Sequence, residues 1–511
     1  MIRTRIVAAA ATVAALVVLT VAGGGAAAVP ATAGLAPLAQ QAPDRPQAPS
    51  DATTPACTAP GPDPSGAVKT YDWIHCYTAQ GIRAAYGVDQ VANMGAGQTI
   101  VLMDSYGSPT AAQDLQHFHD VFFPSLPSPD FSTFFPNGHP DYKNVAKGNG
   151  QSGPIAAAGW SGEATLDIEW SYAIAPLAHI VLLAVPPAET EGVQGFPTLF
   201  RGMRQAIEKY PPGTIFSQSF GVTEQTFEGA QGVKTSQFDQ VYQEAAAKGD
   251  TVLASSGDSG TTGVAKPHRD GTVYPYATVG WPASSPWVTS VGGTQLQYGW
   301  TWDPTSDVPF TADGNYNPSY FNYTNGGNTE AVWNESWLPA ATGGGPSAIY
   351  PMPSWQQPVA SRIPGDHRGL PDLSWNAAVN GGVLVWITAF PNVQRAGWHV
   401  YGGTSASSPQ VGGLVALLNE QREAAGKGPI GHLAPKLYQI GAAGFRDIQP
   451  VVEGTATSGR LVNNRLFQYN ADGSVSFGPI HGWPTTSGWD MTTGFGSPWA
   501  PTFLSELDAL P

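Results

Sequence analysis

Charge is scarce in this chain. Of 511 residues only 12% are charged, with Lys+Arg 23 against Asp+Glu 38 and a net charge of −15. An average soluble protein has roughly 25% charged residues. A chain this short of cations carries no electrostatic footprint for nucleic acid. It also has few ion pairs to lose when carboxylates protonate, which favours tolerance of acid. Cysteine is almost absent, with 2 in the whole chain. There is no CxxC, no HExxH and no His/Cys cluster, so no zinc site is expected. Beyond the N-terminal stretch no apolar run could span a bilayer, and no internal repeat is present.

Apolar side chains are plentiful. Hydrophobic residues make up 42% and aromatics 11% of the chain, enough for a sizeable core and too many for a disordered chain. Residues 1–33 carry Arg3 and Arg5, an apolar run from Ile6 to Val21, and then small residues, with cleavage equally suited after Ala28 or Ala33. That is the pattern of a secretory signal peptide, so the mature chain is expected to be secreted and extracellular, without stable membrane association. In an exported chain Cys57 and Cys76 are expected to form one disulfide that pins the N-terminal arm. Residues 34–68 are rich in Pro and Ala and read as a linker or short prosegment, and residues 69–511 as one domain.

Short apolar runs alternate with helical stretches along that domain. Strands are expected at Thr99–Asp104, His179–Val185, Thr214–Phe220, Thr251–Ser255, Trp287–Val291 and Val383–Ala389. Helices are expected over Gly162–Ile174, Thr198–Lys209, Ser236–Lys248 and Ser405–Ala425, and long surface loops over Thr301–Ser361. Apolar strands without alternation, interleaved with helices, predict an α/β fold with a mainly parallel central sheet covered on both faces.

Three acidic or hydroxyl-bearing segments stand out. Gly402-Gly403-Thr404-Ser405-Ala406-Ser407-Ser408-Pro409 precedes an apolar helical run. A serine at a glycine-rich helix entry presents its hydroxyl beside free backbone N–H groups suited to an oxyanion. A serine nucleophile needs a base. None of the 10 histidines sits in a His-Gly-Thr setting, and His117 and His119 read as a partly exposed helix face. Asp104, ending a strand, with His117 or His119, is therefore the weaker candidate constellation. Glu163 and Asp167 lie four apart, about 40° on a helix, so their carboxyls share a face; Glu169 falls to one side. Such neighbours compete for one negative charge and couple their titrations. Asp258 follows an apolar strand within Ser255-Ser256-Gly257-Asp258-Ser259-Gly260, and ligands of open parallel sheets sit at the carboxyl ends of strands. A carboxylic acid kept neutral there could donate a hydrogen bond to an oxyanion.

Together these segments resemble the sedolisin, or serine-carboxyl peptidase, family from about Tyr77 to Pro498. Further matches are Ser217-Gln218-Ser219-Phe220-Gly221, Pro282-Ala283-Ser284-Ser285-Pro286, Val291-Gly292-Gly293-Thr294, Gly343-Gly344-Gly345, Pro353-Ser354-Trp355-Gln356 and Leu370-Pro371-Asp372-Leu373-Ser374. The resemblance implies a subtilisin-like three-layer α/β domain and hydrolysis of protein or peptide substrates through an acyl-enzyme. It implies Ser405 as nucleophile, Glu163 as general base, Asp167 as its partner and Asp258 as oxyanion donor. Ser217, Ser219, Phe220 and Gly221 would line the substrate cleft. It further implies one structural Ca²⁺, held by the side chains of Asp447 and Asp490 and by carbonyls of Ile448, Thr486 and Gly488, with Thr486 standing where a glycine is expected. Oxygen-only donors of this kind suit Ca²⁺.

The expected activity is that of a secreted, acid-active endopeptidase, with tripeptidyl-peptidase as the alternative. A catalytically inert binding protein on the same fold is the rival from another class. A monomer is expected. Family members usually carry a folded prosegment of more than a hundred residues, whereas only residues 34–68 separate the signal from the domain here. Folding without a domain-sized chaperone segment is expected, aided by the disulfide and calcium.

Overall fold

The computed structural model describes residues 36–37, 39–41, 57–59, 74–142, 153–186, 193–228, 233–263, 273–302, 323–335, 338–390, 392, 396–451, 461–469, 475–477 and 480–511. The signal segment and most of the linker lie outside them. In chain order the N-terminal part forms four short strands: β1 (Ala36–Pro37), β2 (Gln40–Gln41), β3 (Cys57–Ala59) and β4 (Ile74–Tyr77). Next come β5 (Thr99–Ser105), α1 (Ala111–Phe122), β6 (Phe131–Phe134), α2 (Gly153–Ile174), β7 (His179–Val185) and α3 (Phe196–Lys209). They are followed by β8 (Ile215–Gln218), β9 (Phe220–Thr223), α4 (Thr235–Lys248), β10 (Thr251–Ser255), β11 (Thr289–Trp302) and β12 (Tyr323–Val332). The elements closing the site are β13 (Leu373–Asn376), β14 (Gly382–Ile387), β15 (Gly397–Gly402) and α5 (Thr404–Ala424).

The central sheet runs β12-β11-β10-β8-β5-β7-β6, with β13 also pairing β11. Every one of these pairings is parallel except β11 with β12. Successive strand residues point to opposite faces, and both faces are apolar. Ile100, Leu102, Ile180, Leu182, Ile215 and Leu253 pack into one core with α1, α2 and α5. Their neighbours Val101, Met103, Val181, Leu183, Phe216 and Val252 pack into the other with α3 and α4. Burial on both faces explains why these strands show no polar alternation.

Three expectations change. The stretch 214–220 is not one strand: β8 stops at Gln218 and β9 begins at Phe220, because Ser219 turns its hydroxyl toward Asp167. Helix α2 starts at Gly153, well before Gly162, since Pro154 suits a first helical turn and three alanines follow. Residues 301–361 are not merely loops. β11 runs on to Trp302 against β12, and Gly345–Pro351 pairs with His367–Leu370. That pairing is between distant segments and leaves no local apolar period to read.

A second sheet, β2-β15-β14-β4-β3, flanks the first. In it Cys57 stands opposite Cys76 across an antiparallel ladder. Helices α2 and α5 run side by side in the same direction, with the Ser171 hydroxyl reaching the Pro409 carbonyl. A Cβ on Gly413 would lie 2.6 Å from that of Ile174, so glycine is what allows this approach.

Candidate active site

The carboxyl ends of β5, β8 and β10 lie on one edge of the central sheet, and α5 begins beside them. Ser405 is the second residue of α5. Gly402 and Gly403 let β15 turn directly into that helix. A Cβ on Gly402 would meet the Ala377 carbonyl at 2.5 Å, and Gly403 has φ +90°. Ser405 is fully buried. Among the described residues its hydroxyl and Glu163 Oε1 have no partner at ordinary hydrogen-bond geometry, yet the hydroxyl lies near enough to favour the charged form of Glu163. The two groups are thus close but not aligned, as catalytic pairs without a reacting substrate often are.

Glu163 and Asp167 sit one turn apart on α2, both without exposed surface. Glu163 Oε2 accepts the Ala39 amide at 2.7 Å, and Asp167 Oδ1 accepts the Ser219 hydroxyl at 2.9 Å. Burial pushes both carboxyls well above the usual range, and the nearby Asp104 carboxyl adds to the shift. Asp104, at the end of β5, is itself fully buried with neither oxygen hydrogen-bonded among the described residues. Burial raises it to about 8. The sequence pointed to Asp104 as a partner for histidine; its neighbours are the acids of α2. His119 Nδ1 lies 2.6 Å from the Tyr172 hydroxyl and His117 stacks on Trp386. Glu169 turns aside, accepting the Trp386 amide at 3.0 Å.

Asp258 follows Gly257, whose φ of +109° turns the chain back after β10. Its Oδ1 accepts from the Thr404 amide at 2.9 Å and the Thr404 hydroxyl at 2.7 Å. Its Oδ2 accepts from Gln40 Nε2 at 3.2 Å. Burial raises this carboxyl to about 7. With Oδ1 occupied by two donors, a proton on the neutral acid belongs on Oδ2, the oxygen facing the N-terminal segment.

That segment crosses the site. Ala36 and Pro37 pair antiparallel with Gly221 and Phe220, and Gln40 and Gln41 with Gly402 and Tyr401. The expected cleft residues divide accordingly. Gly221 and Phe220 offer their backbone edge, but the Phe220 ring lies in the core between α3 and α4. Ser219 holds Asp167, and Ser217 is buried with its hydroxyl 2.9 Å from that of Ser408, bracing β8 on α5. Both serines are fully buried, with their hydroxyls turned to these partners. Thr404, Gln40, His399 and Tyr401 escaped the sequence reading, since each acts through a partner distant in the chain.

The C-terminal oxygens gather around one loop. Asp447 accepts from the Gly488 amide at 3.0 Å and the Ser487 hydroxyl at 3.2 Å. Asp490 Oδ2 accepts the Thr486 amide at 2.7 Å, while its Oδ1 closes the turn at Thr492 and Thr493. Ile448 is buried beside them. Asp447 Oδ1 and Asp490 Oδ2 each accept one backbone amide, so each keeps a lone pair, and such hard oxygen donors fit Ca²⁺.

The pattern of the subtilase family matches residues 148–439. Kumamolisin of Bacillus sp. (strain MN-32) is 31% identical over 440 residues, covering 84% of this chain and 63% of its own. Human tripeptidyl-peptidase 1 is 29% identical over 418 residues, covering 78% of this chain and 61% of its own. The chain thus spans less than two thirds of these curated relatives. Among solved structures, Pseudomonas sedolisin, a serine-carboxyl proteinase complexed with pseudo-iodotyrostatin, superposes with TM-score 0.55 at 25% identity. The match covers 84% of this chain and 95% of that one.

Proposed function

The chain belongs to the subtilase family and to its sedolisin branch, and on that premise we propose that it is a secreted, acid-active serine-carboxyl endopeptidase. The observation that carries this reading is the convergence of Ser405, Glu163, Asp167 and Asp258 beneath one peptide segment. Glu163 takes the Ser405 proton as the hydroxyl oxygen attacks the scissile carbonyl. The oxygen of the tetrahedral intermediate takes its hydrogen bond from the Asp258 proton. Glu163 then returns the proton to the leaving amine, and water hydrolyses the acyl-enzyme by the same steps. Asp167 shares the negative charge of Glu163, and Ser219 fixes its orientation. Kumamolisin and tripeptidyl-peptidase 1 support protein or peptide substrates for this chain as well.

The endopeptidase reading rests on chain continuity. A tripeptidyl-peptidase takes a free amino group three residues before the cut. The segment beneath which the acids lie continues on both sides of Ala39, so the cleft admits the middle of a chain. In this arrangement residues 34–68 would serve as a short prosegment, with Ala39 and Gln40 covering the Glu163 and Asp258 carboxyls until displaced. The Cys57–Cys76 register suits a disulfide, since directly opposed antiparallel residues lie within the span that a bridge needs.

Glu163 must be ionised and Asp258 neutral in the same molecule. Burial and the Asp104 carboxyl oppose the charge on Glu163, while the Ser405 hydroxyl and the Ala39 amide favour it. Asp258 loses its proton through about 7, so hydrolysis of an unfolded protein should peak in acid and fall as pH rises through that value. A rate profile from pH 2 to 9 checks this. A neutral or alkaline optimum would move the base to a histidine, and no hydrolysis at any pH with calcium present would favour the inert binding protein.

Asp447 and Asp490, with carbonyls of Ile448, Thr486 and Gly488, would hold one Ca²⁺, which neutralises the facing carboxylates and pins the loop. At a hundredfold excess over Kd such an ion contributes about 2.7 kcal/mol. Chelation should therefore lower Tm by about 3 °C, and Asp447→Asn should abolish the difference. Equal melting of the wild type with and without chelator would remove calcium from the account.

A further inference from the structure

The N-terminal segment reports how the cleft holds a peptide on the amine side of the bond to be cut. Ala39 places its backbone N–H on Glu163 Oε2, where the nitrogen of a leaving amine would sit. Two residues later Gln41 stands opposite Tyr401 in the ladder with β15. Its side-chain amide is gripped at both ends. Nε2 lies 2.7 Å from His399 Nδ1, and Oε1 accepts from the Tyr401 hydroxyl at 3.2 Å. His399 and Tyr401 are two apart on one strand, so they project from the same face. The Tyr401 ring is seated by Gly162, immediately before Glu163: a Cβ there would lie 2.5 Å from the hydroxyl.

We propose that His399 and Tyr401 form a subsite that selects a primary-amide side chain, Gln above all, two residues beyond the residue whose nitrogen rests on Glu163. This rests on the peptidase reading and adds the substrate class to it. A primary amide is both donor and acceptor. Imidazole and phenol can each supply the complementary role, so the pair is satisfied whichever way the amide is turned. An aliphatic side chain would make neither of these two hydrogen bonds. Sites built to hydrogen-bond a substrate group discriminate strongly against analogues that lack it. Peptides enter by adding a strand to the edge of β15, with the backbone supplying register and the pocket specificity.

The test uses two quenched-fluorescent peptides containing Ala-Pro-Leu-Ala-Gln-Gln and Ala-Pro-Leu-Ala-Gln-Ala, with an unfolded protein assayed alongside. The wild type should show kcat/KM at least about tenfold higher for the first. Tyr401→Phe and His399→Ala should each bring the ratio toward one; a ratio cancels any general loss of activity. Equal kcat/KM in the wild type, or neither peptide cut while the unfolded protein is digested, overturns the subsite and leaves the peptidase reading standing. If nothing is cut at any pH, the peptidase reading fails and the subsite falls with it.

Discussion

Ser405→Ala should lower kcat on an unfolded protein at its acid optimum by about a millionfold, the scale seen when a serine peptidase loses its nucleophile. The fold should survive. The Ser405 hydroxyl makes no hydrogen bond of ordinary geometry among the described residues, and losing one oxygen at a helix entry leaves Thr404 and its two contacts with Asp258 untouched. Melting temperature and circular dichroism should therefore match the wild type. Glu163→Gln should cost nearly as much, because glutamine accepts no proton from serine. The double variant should be hardly worse than either, since groups that act as one unit are not additive. Steady-state and single-turnover rates check both. A Ser405→Ala rate within tenfold of wild type would place the nucleophile elsewhere.

The parts legible in the sequence were those written in contiguous residues. Parallel strands buried on both faces announce themselves as apolar runs, and β7 and β10 fall where those runs lie. Four-residue spacing put Glu163 and Asp167 on one face without reference to the rest of the chain. A strand followed by an acid located Asp258, and Gly402-Gly403 located the entry to α5. What stayed hidden depends on contacts between distant segments. Nothing local in residues 36–41 says that they lie across the carboxyls, since their Pro/Ala/Gln composition is that of a linker. Asp104 was visible as a strand-terminal acid, but its neighbours come from α2, which the sequence does not place beside β5. Ser217 and Ser219 look alike in the chain, yet one braces a helix and the other holds a carboxylate, because β8 ends at Gln218 and Ser219 lies beyond it, outside the strand that carries Ser217.

Asp258 separates two ways in which a buried acid can serve. Asp258→Ala removes the hydrogen-bond donor and should cost about a hundred- to a thousandfold in kcat, with KM little changed. Asp258→Asn is the sharper variant. The asparagine carbonyl oxygen can still accept from Thr404, while its amide group donates toward the oxyanion at every pH. It should retain more activity than the alanine variant and lose the fall through about 7 that the wild type shows. Stability changes in a linked direction. The folded protein keeps Asp258 protonated up to about 7 while the unfolded chain ionises near 3.9. The native state binds the extra proton between these values, so stability falls as pH rises across that window. Asparagine has no proton to lose, so Asp258→Asn should gain on the wild type in Tm between pH 4 and pH 8. Rate profiles and melting curves across that range test both halves. Were the asparagine variant to keep the wild-type fall, another of the buried acids would own it, and Asp104, raised to about 8, would be the next to substitute.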